Sequence, residues 1–423
     1  MPVGPLAAAL ASRAHRAALW IAVAIGFSIP VSTALDNLLV LALLACWIAG
    51  GHYREKWAAL RANPFVLLPC GLFLLYLVGS TYSVGDAEDI LRALDKASVI
   101  LLIPVLIALN PGKEFRDRAL YGFMAAILAT LVLSFLLWMG AVPEGGENDI
   151  IKGVRQDPSV FKMHITHGVL MAFGAFAFAL KARGAAKRGV KLLLGLAAAL
   201  AAVNLLFMVH GRTGQLVLLA LVVYFVCSQF RWRGLVVAAA GAAVLTSAGY
   251  FAPSSALHER VKTTITEIQD WRAGKPAQPR NMRLESWSNS FEIVQENPLL
   301  GVGTGGFAAA YARQVEGTSM IPVGQPENQY LLTTVQLGAL GLAALLALFA
   351  FQWRLAARLA TRTDTDVARG LVVTMAVGCL FNSFLLDHTE ALFYAWLSGL
   401  LYASLRAVEV DRRPSDAHPR GAD

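Results

Sequence analysis

Two arginines stand where so apolar a chain should avoid them. Arg212 lies in Val209-His210-Gly211-Arg212-Thr213-Gly214, between two long apolar runs. Arg283 lies in the longest polar stretch, just before Trp287 and Asn297-Pro298-Leu299-Leu300-Gly301-Val302-Gly303. A guanidinium held against a membrane is costly unless it faces water and an anion. Its planar fork matches phosphate oxygens, so two on one side of a membrane predict a clamp for a lipid-linked phosphate. The blander readings are a snorkelling side chain for Arg212 and a solvated helix face for Arg283 and its neighbour Arg280.

A third element is Pro326-Glu327-Asn328-Gln329-Tyr330-Leu331, followed by Gln336-Leu337-Gly338-Ala339-Leu340-Gly341-Leu342. It stands where the polar stretch returns to apolar sequence. Glu327 there is a carboxylate able to take a proton from a sugar hydroxyl, or a residue that caps the following helix or faces its dipole. Arg280, Asn328, Tyr330, His167 and His388 complete the candidate substrate-binding set. His164 and His167 are three apart, which brings them together on a helix, but two histidines are too few ligands for a metal site. Asp387, His388 and Glu390 fall in a turn between the last two apolar runs, where they could pair with the arginines. The glycines of Gly301-Val302-Gly303-Thr304-Gly305-Gly306 either admit a ligand to the backbone or act as spacers.

The elements that must position these residues follow from composition. Of 423 residues, 57% are hydrophobic and 15% charged, against roughly 25% charged in an ordinary soluble protein. The apolar residues come in runs of about 18–22, long enough to span a bilayer as helix. The net charge of +8 sits in short loops between these runs; it predicts contact with membrane lipids and no nucleic-acid partner. Cys46, Cys70, Cys227 and Cys379 lie inside apolar runs without metal-like spacing, as packing residues do.

The reading is an all-α polytopic membrane protein of about twelve spans. They fall near 17–34, 36–50, 64–82, 97–109, 119–140, 162–181, 191–209, 213–229, 234–252, 328–350, 370–386 and 390–406. Arg13 and Arg16 precede the first, with no small-residue cleavage site after it. Basic residues collect in alternate loops, at Arg54, Lys56 and Arg61, at Lys113, Arg116 and Arg118, and in three later loops. Those loops are cytoplasmic by the positive-inside rule, and an even span count puts both termini there too. The organisation is then residues 1–252 as spans one to nine, 253–327 as one large outward loop, 328–406 as the last three spans, and 407–423 as a polar cytoplasmic tail. A loop of about 75 residues is too long for a mere connector. Within it Leu284, Trp287, Phe291 and Val294 recur at helical spacing, with Arg283 at the start and Pro298 beyond the end.

Taken together, Gly211-Arg212-Thr213-Gly214, the arginine-to-tryptophan helix leading to Asn297-Pro298-Leu299-Leu300-Gly301-Val302-Gly303, Asn328-Gln329-Tyr330-Leu331 and the Gln336–Leu342 motif resemble the O-antigen ligase family. That family shares a core domain with O-antigen polymerases and some protein O-oligosaccharyltransferases. The resemblance runs from about Arg13 to Arg406 and is specific in 204–216 and 283–342. It implies a membrane fold of the glycosyltransferase C type (GT-C) and a metal-independent, inverting glycosyltransferase without cofactor. Ligases of the family move a completed glycan from undecaprenyl diphosphate to the lipid A–core sugar at the periplasmic face of the inner membrane. By resemblance Arg212 and Arg283 bind the diphosphate. The family has His-Asn-x-Tyr-Leu, its histidine proposed to act on the acceptor hydroxyl; here that place is Glu327, so glutamate is the base, another group such as His388 or His167 is, or the chain has a different acceptor or no activity. Polymerase and protein-transferase readings share the chemistry. A transporter or flippase reading is disfavoured, because no matched pair of broken helices marks two inverted halves.

Overall fold

Long apolar runs fold as helices because a bilayer leaves the backbone no other hydrogen-bond partners. The computed structural model describes residues 5–146, 149–230, 265–266, 269, 282–318 and 320–406, and the regular elements among them are helical, with one isolated Val154–Asp157 bridge. The first ten helices are α1 (Pro5–Ser28), α2 (Thr33–Ala49), α3 (Tyr53–Ala62), α4 (Leu67–Gly79), α5 (Ala87–Ser98), α6 (Leu102–Leu109), α7 (Lys113–Met139), α8 (His164–Gly184), α9 (Arg188–Val203) and α10 (Arg212–Phe230). A π-helical turn, Asn204–Met208, extends α9. After the undescribed stretch come α11 (Met282–Glu296), α12 (Phe307–Gln314), α13 (Gln329–Ala356), α14 (Arg362–Gly378) and α15 (His388–Tyr402).

The core gathers around α15, which is buried from Thr389 to Tyr402. A helix apolar on every side belongs in the centre of a bundle. Phe393 stacks on Phe123 of α7 at 5.1 Å, and Tyr402 stacks on Phe65 at 4.3 Å. The polar atoms buried there are paired, as burial demands. Gln352 of α13 accepts from the Tyr394 hydroxyl at 2.7 Å, donates to Ser398 Oγ at 2.9 Å, and its carbonyl takes the Tyr402 hydroxyl at 2.6 Å.

By length and composition, α7, α8, α9 with its π turn, α10 and α13 can each cross a membrane, and α2 with α3 makes a sixth if the bent pair counts as one. This is the make-up of a multi-pass membrane protein. Several expected spans differ from the helices found. The stretch 234–252 lies outside the described residues. The span near 36–50 ends at Ala49, and the chain turns through 111° into α3. The span near 97–109 is a 3-10 turn, Val99–Leu101, followed by the eight residues of α6. The span near 370–386 begins at Arg362, capped by Thr361 Oγ1 accepting from Asp364 N at 3.0 Å, and stops at Gly378. Residues 379–387 then form a loop. Of their apolar side chains, Phe384 and Leu386 are buried in protein while Leu380 is exposed; burial in protein satisfies a hydropathy pattern as well as lipid would.

Candidate functional site

The site is built on a break in α13. Gly338 has φ 63° and ψ −160° inside that helix, a conformation open to glycine because it lacks a Cβ. The break frees carbonyls one turn before it. Val302 and Gly303 donate their amides to Val335 O at 2.8 Å and Gln336 O at 2.9 Å, and Ala339 N donates to Pro298 O at 2.8 Å. Gly305 N reaches Gln336 Oε1 at 3.2 Å. On its other side the same loop meets α4, through Thr304 N to Gly79 O at 3.1 Å and Thr304 Oγ1 to Tyr76 O at 2.6 Å. The glycine-rich run and the Gln336–Leu342 motif are therefore two halves of one joint. Its glycines admit protein backbone: a Cβ on Gly301 or Gly303 would collide with Val335 O or Ser83.

This joint sets α11 against the start of α13. The buried face of α11 is largely polar, Ser286, Asn289, Ser290 and Ile293, while Phe291 is exposed. Asn289 Nδ2 donates to the Tyr311 hydroxyl at 3.3 Å, tying α11 to α12. Trp287 Nε1 donates to Pro326 O at 2.8 Å. One residue on, Glu327 has φ 49°, the left-handed region that non-glycine residues enter at a cost. There its carboxylate forms an ion pair with Arg283. Asn328, the next residue, caps α13 by accepting from Leu331 N at 3.1 Å. Glu327 is thus held between two anchored neighbours, and the capping role falls to Asn328.

Arg212 opens α10. The two glycines beside it serve close approach: a Cβ on Gly211 would lie 2.8 Å from His164 O, and one on Gly214 2.7 Å from Gly168 Cα. Neither has a positive φ; they let the first turns of α8 and α10 pack closely, while the chain turns in three residues from Met208 to Arg212. Asp157 stabilises the approach to Arg212. Its Oδ1 accepts from His210 N at 3.3 Å, and its carboxylate lies 3.8 Å from His164 Nδ1 and 4.0 Å from His210 Nδ1. The Arg212 side chain is exposed, and among the described residues none pairs with its guanidinium. The free amides of a helix N-terminus add positive potential beside it.

The loop 379–387 joins the two helix starts. Asn382 Nδ2 is 3.5 Å from Thr213 Oγ1, next to Arg212. The Cys379 and Asn382 carbonyls receive Gln329 N at 2.9 and 3.2 Å, two residues from Glu327. Leu385 N donates to Gln329 Oε1 at 3.0 Å. Asp387 ends this loop within electrostatic reach of Lys96 and Glu327. Burial pushes its carboxyl above the ordinary range, the Lys96 ammonium opposes this, and the Glu327 carboxylate adds to it.

The other candidates are placed as follows. The Tyr330 hydroxyl donates to Ala376 O at 2.8 Å. His167 is buried, its Nε2 3.2 Å from Asn204 Oδ1, and Asn204 Nδ2 donates to Ser134 Oγ at 2.7 Å. His388 is half-buried; its charged neighbours are Asp36, Lys162 and Asp95. Arg280 lies outside the described residues. Glu390 is buried in α15. Two participants were not singled out in the sequence, Asp157 beside His210 and Lys162 paired with Asp36 at 3.6 Å. Asp36 carried a signal, an acid inside an apolar run.

Fold and site together describe a helical multi-pass membrane protein in which a broken helix begins beside a carboxylate–guanidinium pair, and in which Arg212 has no partner among the described residues. Residues 196–346 match the family model for O-antigen ligase. The matched segment contains Arg212, Arg283 and Glu327 but not the loop 379–387. Among solved structures, a chain of a peptidoglycan synthase complex that coordinates polymerization and crosslinking is 19% identical. The similarity covers 82% of this chain and 97% of that one, with a TM-score of 0.48. No curated protein matches the chain significantly.

Proposed function

We propose that this chain is a glycosyltransferase of the O-antigen ligase type. In this reading it moves a glycan from undecaprenyl diphosphate to lipid A–core at the periplasmic face of the inner membrane, on a twelve-span GT-C scaffold, without metal or cofactor. The observation that carries the reading is the Arg283–Glu327 pair within the family-matched segment, with Arg212 open nearby. The donor's diphosphate engages Arg212 and Arg283, and its polyprenyl tail stays in the outer leaflet. Negative charge gathers on the departing phosphate oxygens, and two fixed cations stabilise it most in the transition state. When Arg283 exchanges carboxylate for phosphate, Glu327 is released beside the donor. It then accepts the proton of the attacking acceptor hydroxyl, which reaches the anomeric carbon opposite the diphosphate and inverts it. Asn328 and Tyr330 brace the start of α13 beside this place.

The test is lipopolysaccharide banding in a ligase-deficient host carrying the native chain or one of four variants. The native chain and Glu327→His are expected to restore banding. Arg212→Ala and Arg283→Ala are expected to lose about 10²–10³-fold in transfer, the effect of removing one charge-stabilising donor, and Glu327→Ala to lose the signal. Full activity in both arginine variants would overturn the clamp. Bare core with the native chain, but lengthened glycan in a polymerase-deficient host, would reassign the acceptor to a second glycan chain.

A further inference from the structure

The opposite end of the bundle holds a second polar site. The candidate site lies where α15 begins; at the far end of α15, Asn63, which follows α3, donates to Tyr402 O at 2.9 Å. Beside α3 is a cavity of about 310 Å³ whose polar lining is Ser12, His15, His52, Glu55, Lys56 and Asn110. These residues come from the start of α1, the corner between α2 and α3, and the end of α6. His52 and Asn110 both have left-handed backbones, with φ 54° and 50°, so two sharp corners close around the space.

The cavity gathers a buried ammonium, two imidazoles and an exposed carboxylate. Lys56 is 6% exposed, donates to Trp47 O, and lies 4.1 Å from the centre of the Trp47 ring and 5.2 Å from that of Tyr53. The one carboxylate, Glu55, is 78% exposed and sits 3.5 Å from His52. Burial, then the like charges of Lys56 and His52, push the His15 imidazole below its ordinary range, against a smaller opposing effect of Glu55. One ammonium and two imidazoles thus face one space; an anion there offsets the effect of Lys56 on the imidazoles and favours their taking up protons.

The surface around the cavity suits a bilayer. Because α3 turns 111° from α2, it would lie near the plane of a membrane crossed by α2. It buries Lys56 and Ala59 and exposes Tyr53, Arg54, Trp57 and Arg61, with Arg61 5.0 Å over the Trp57 ring. Aromatic and basic residues together mark an interfacial helix. On the adjoining α2, Leu41 and Ile48 are exposed and apolar, a surface for acyl chains.

We propose that this cavity binds the phosphate headgroup of an anionic phospholipid of the cytoplasmic leaflet, with α3 lying in the headgroup layer. The Lys56 ammonium and the His15 and His52 imidazoles face the phosphate oxygens, and the acyl chains follow α2. The site is separate from the proposed transferase site and stands without it.

Native mass spectrometry of the full chain released from mixed phosphatidylglycerol and phosphatidylcholine nanodiscs tests this. The native chain is expected to retain phosphatidylglycerol over phosphatidylcholine by at least about fivefold, the effect of one basic side chain at an anionic surface. The double variant His15→Gln with His52→Gln is expected to lose that preference. Glu55→Gln, which removes an exposed repelling charge, is expected to increase it. Equal retention of the two lipids, or a preference unchanged in the double variant, overturns the proposal. So does inorganic phosphate displacing the lipid at millimolar concentration, which makes the cavity a soluble-phosphate site. If the double variant fails to fold, an unchanged preference in Glu55→Gln overturns it instead.

Discussion

Arg283 and Glu327 have side-chain exposures of 41% and 54%, and an ion pair so open contributes only about 0–1 kcal/mol to stability. Its position beside a left-handed residue is better explained by chemistry than by folding. Glu327→Gln should therefore leave thermal unfolding in detergent within about 0.5 kcal/mol of the native chain, as surface substitutions usually do. The same variant should lose about 10²–10⁴-fold in glycan transfer, the usual contribution of a general base. A large loss of stability would make Glu327 structural; unchanged transfer would move the base elsewhere. Lys162 presents the opposite case. Its side chain is 9% exposed and that of Asp36 0%, and its ammonium also donates to Thr33 Oγ1 at 2.7 Å and Thr389 Oγ1 at 3.2 Å. Lys162→Met strands a buried carboxylate, so it should cost about 3–5 kcal/mol, and adding Asp36→Asn should recover part of this in a double-mutant cycle.

At the scale of elements, the break in α13 matters more than its length. The freed carbonyls of Val335 and Gln336 dock the loop that leads from α11, and Trp287 then fixes Pro326 beside Glu327. Gly338→Ala places a Cβ against the Leu299 carbonyl in a left-handed backbone. It should destabilise by more than about 1–2 kcal/mol and separate α11 from α13, a change that hydrogen exchange across 297–306 would report. Gly195→Ala in α9 is the control. No atom lies within 4 Å of a Cβ there, and replacing a helix-interior glycine should stabilise by about 0.5–1 kcal/mol. Equal effects of the two substitutions would mean that the break carries no load.

For the molecule as a whole, the buried polar groups fasten the helix ends that surround the site. Lys162 connects the α1–α2 corner to α15, and Asp387 ends the loop that reaches both Thr213 and Gln329. Because the Asp387 carboxyl is raised by burial, the folded chain keeps a proton that the unfolded chain has lost just above the ordinary carboxylate range. Stability from this group is full below that range and falls as pH rises through the raised value. Asp387→Asn should flatten this part of the stability–pH profile, read as melting temperature across acidic to neutral pH. A profile of unchanged slope in the variant would assign the dependence to another group.

The sequence by itself determined that the chain is helical and membrane-embedded, since apolar runs of spanning length leave the backbone no alternative. It also marked Arg212, Arg283 and Glu327, because charged groups beside such runs need a reason to be there. Which partners they take was a tertiary matter. Hydropathy could not distinguish lipid-facing from protein-buried residues, so Phe384 and Leu386 read as part of a span although they lie in a loop. Periodicity could not show that the polar face of α11 is the buried one. Contacts between residues more than a hundred apart, Asn382 with Thr213 and Lys162 with Thr389, depend on how whole helices pack, and no local pattern encodes that packing.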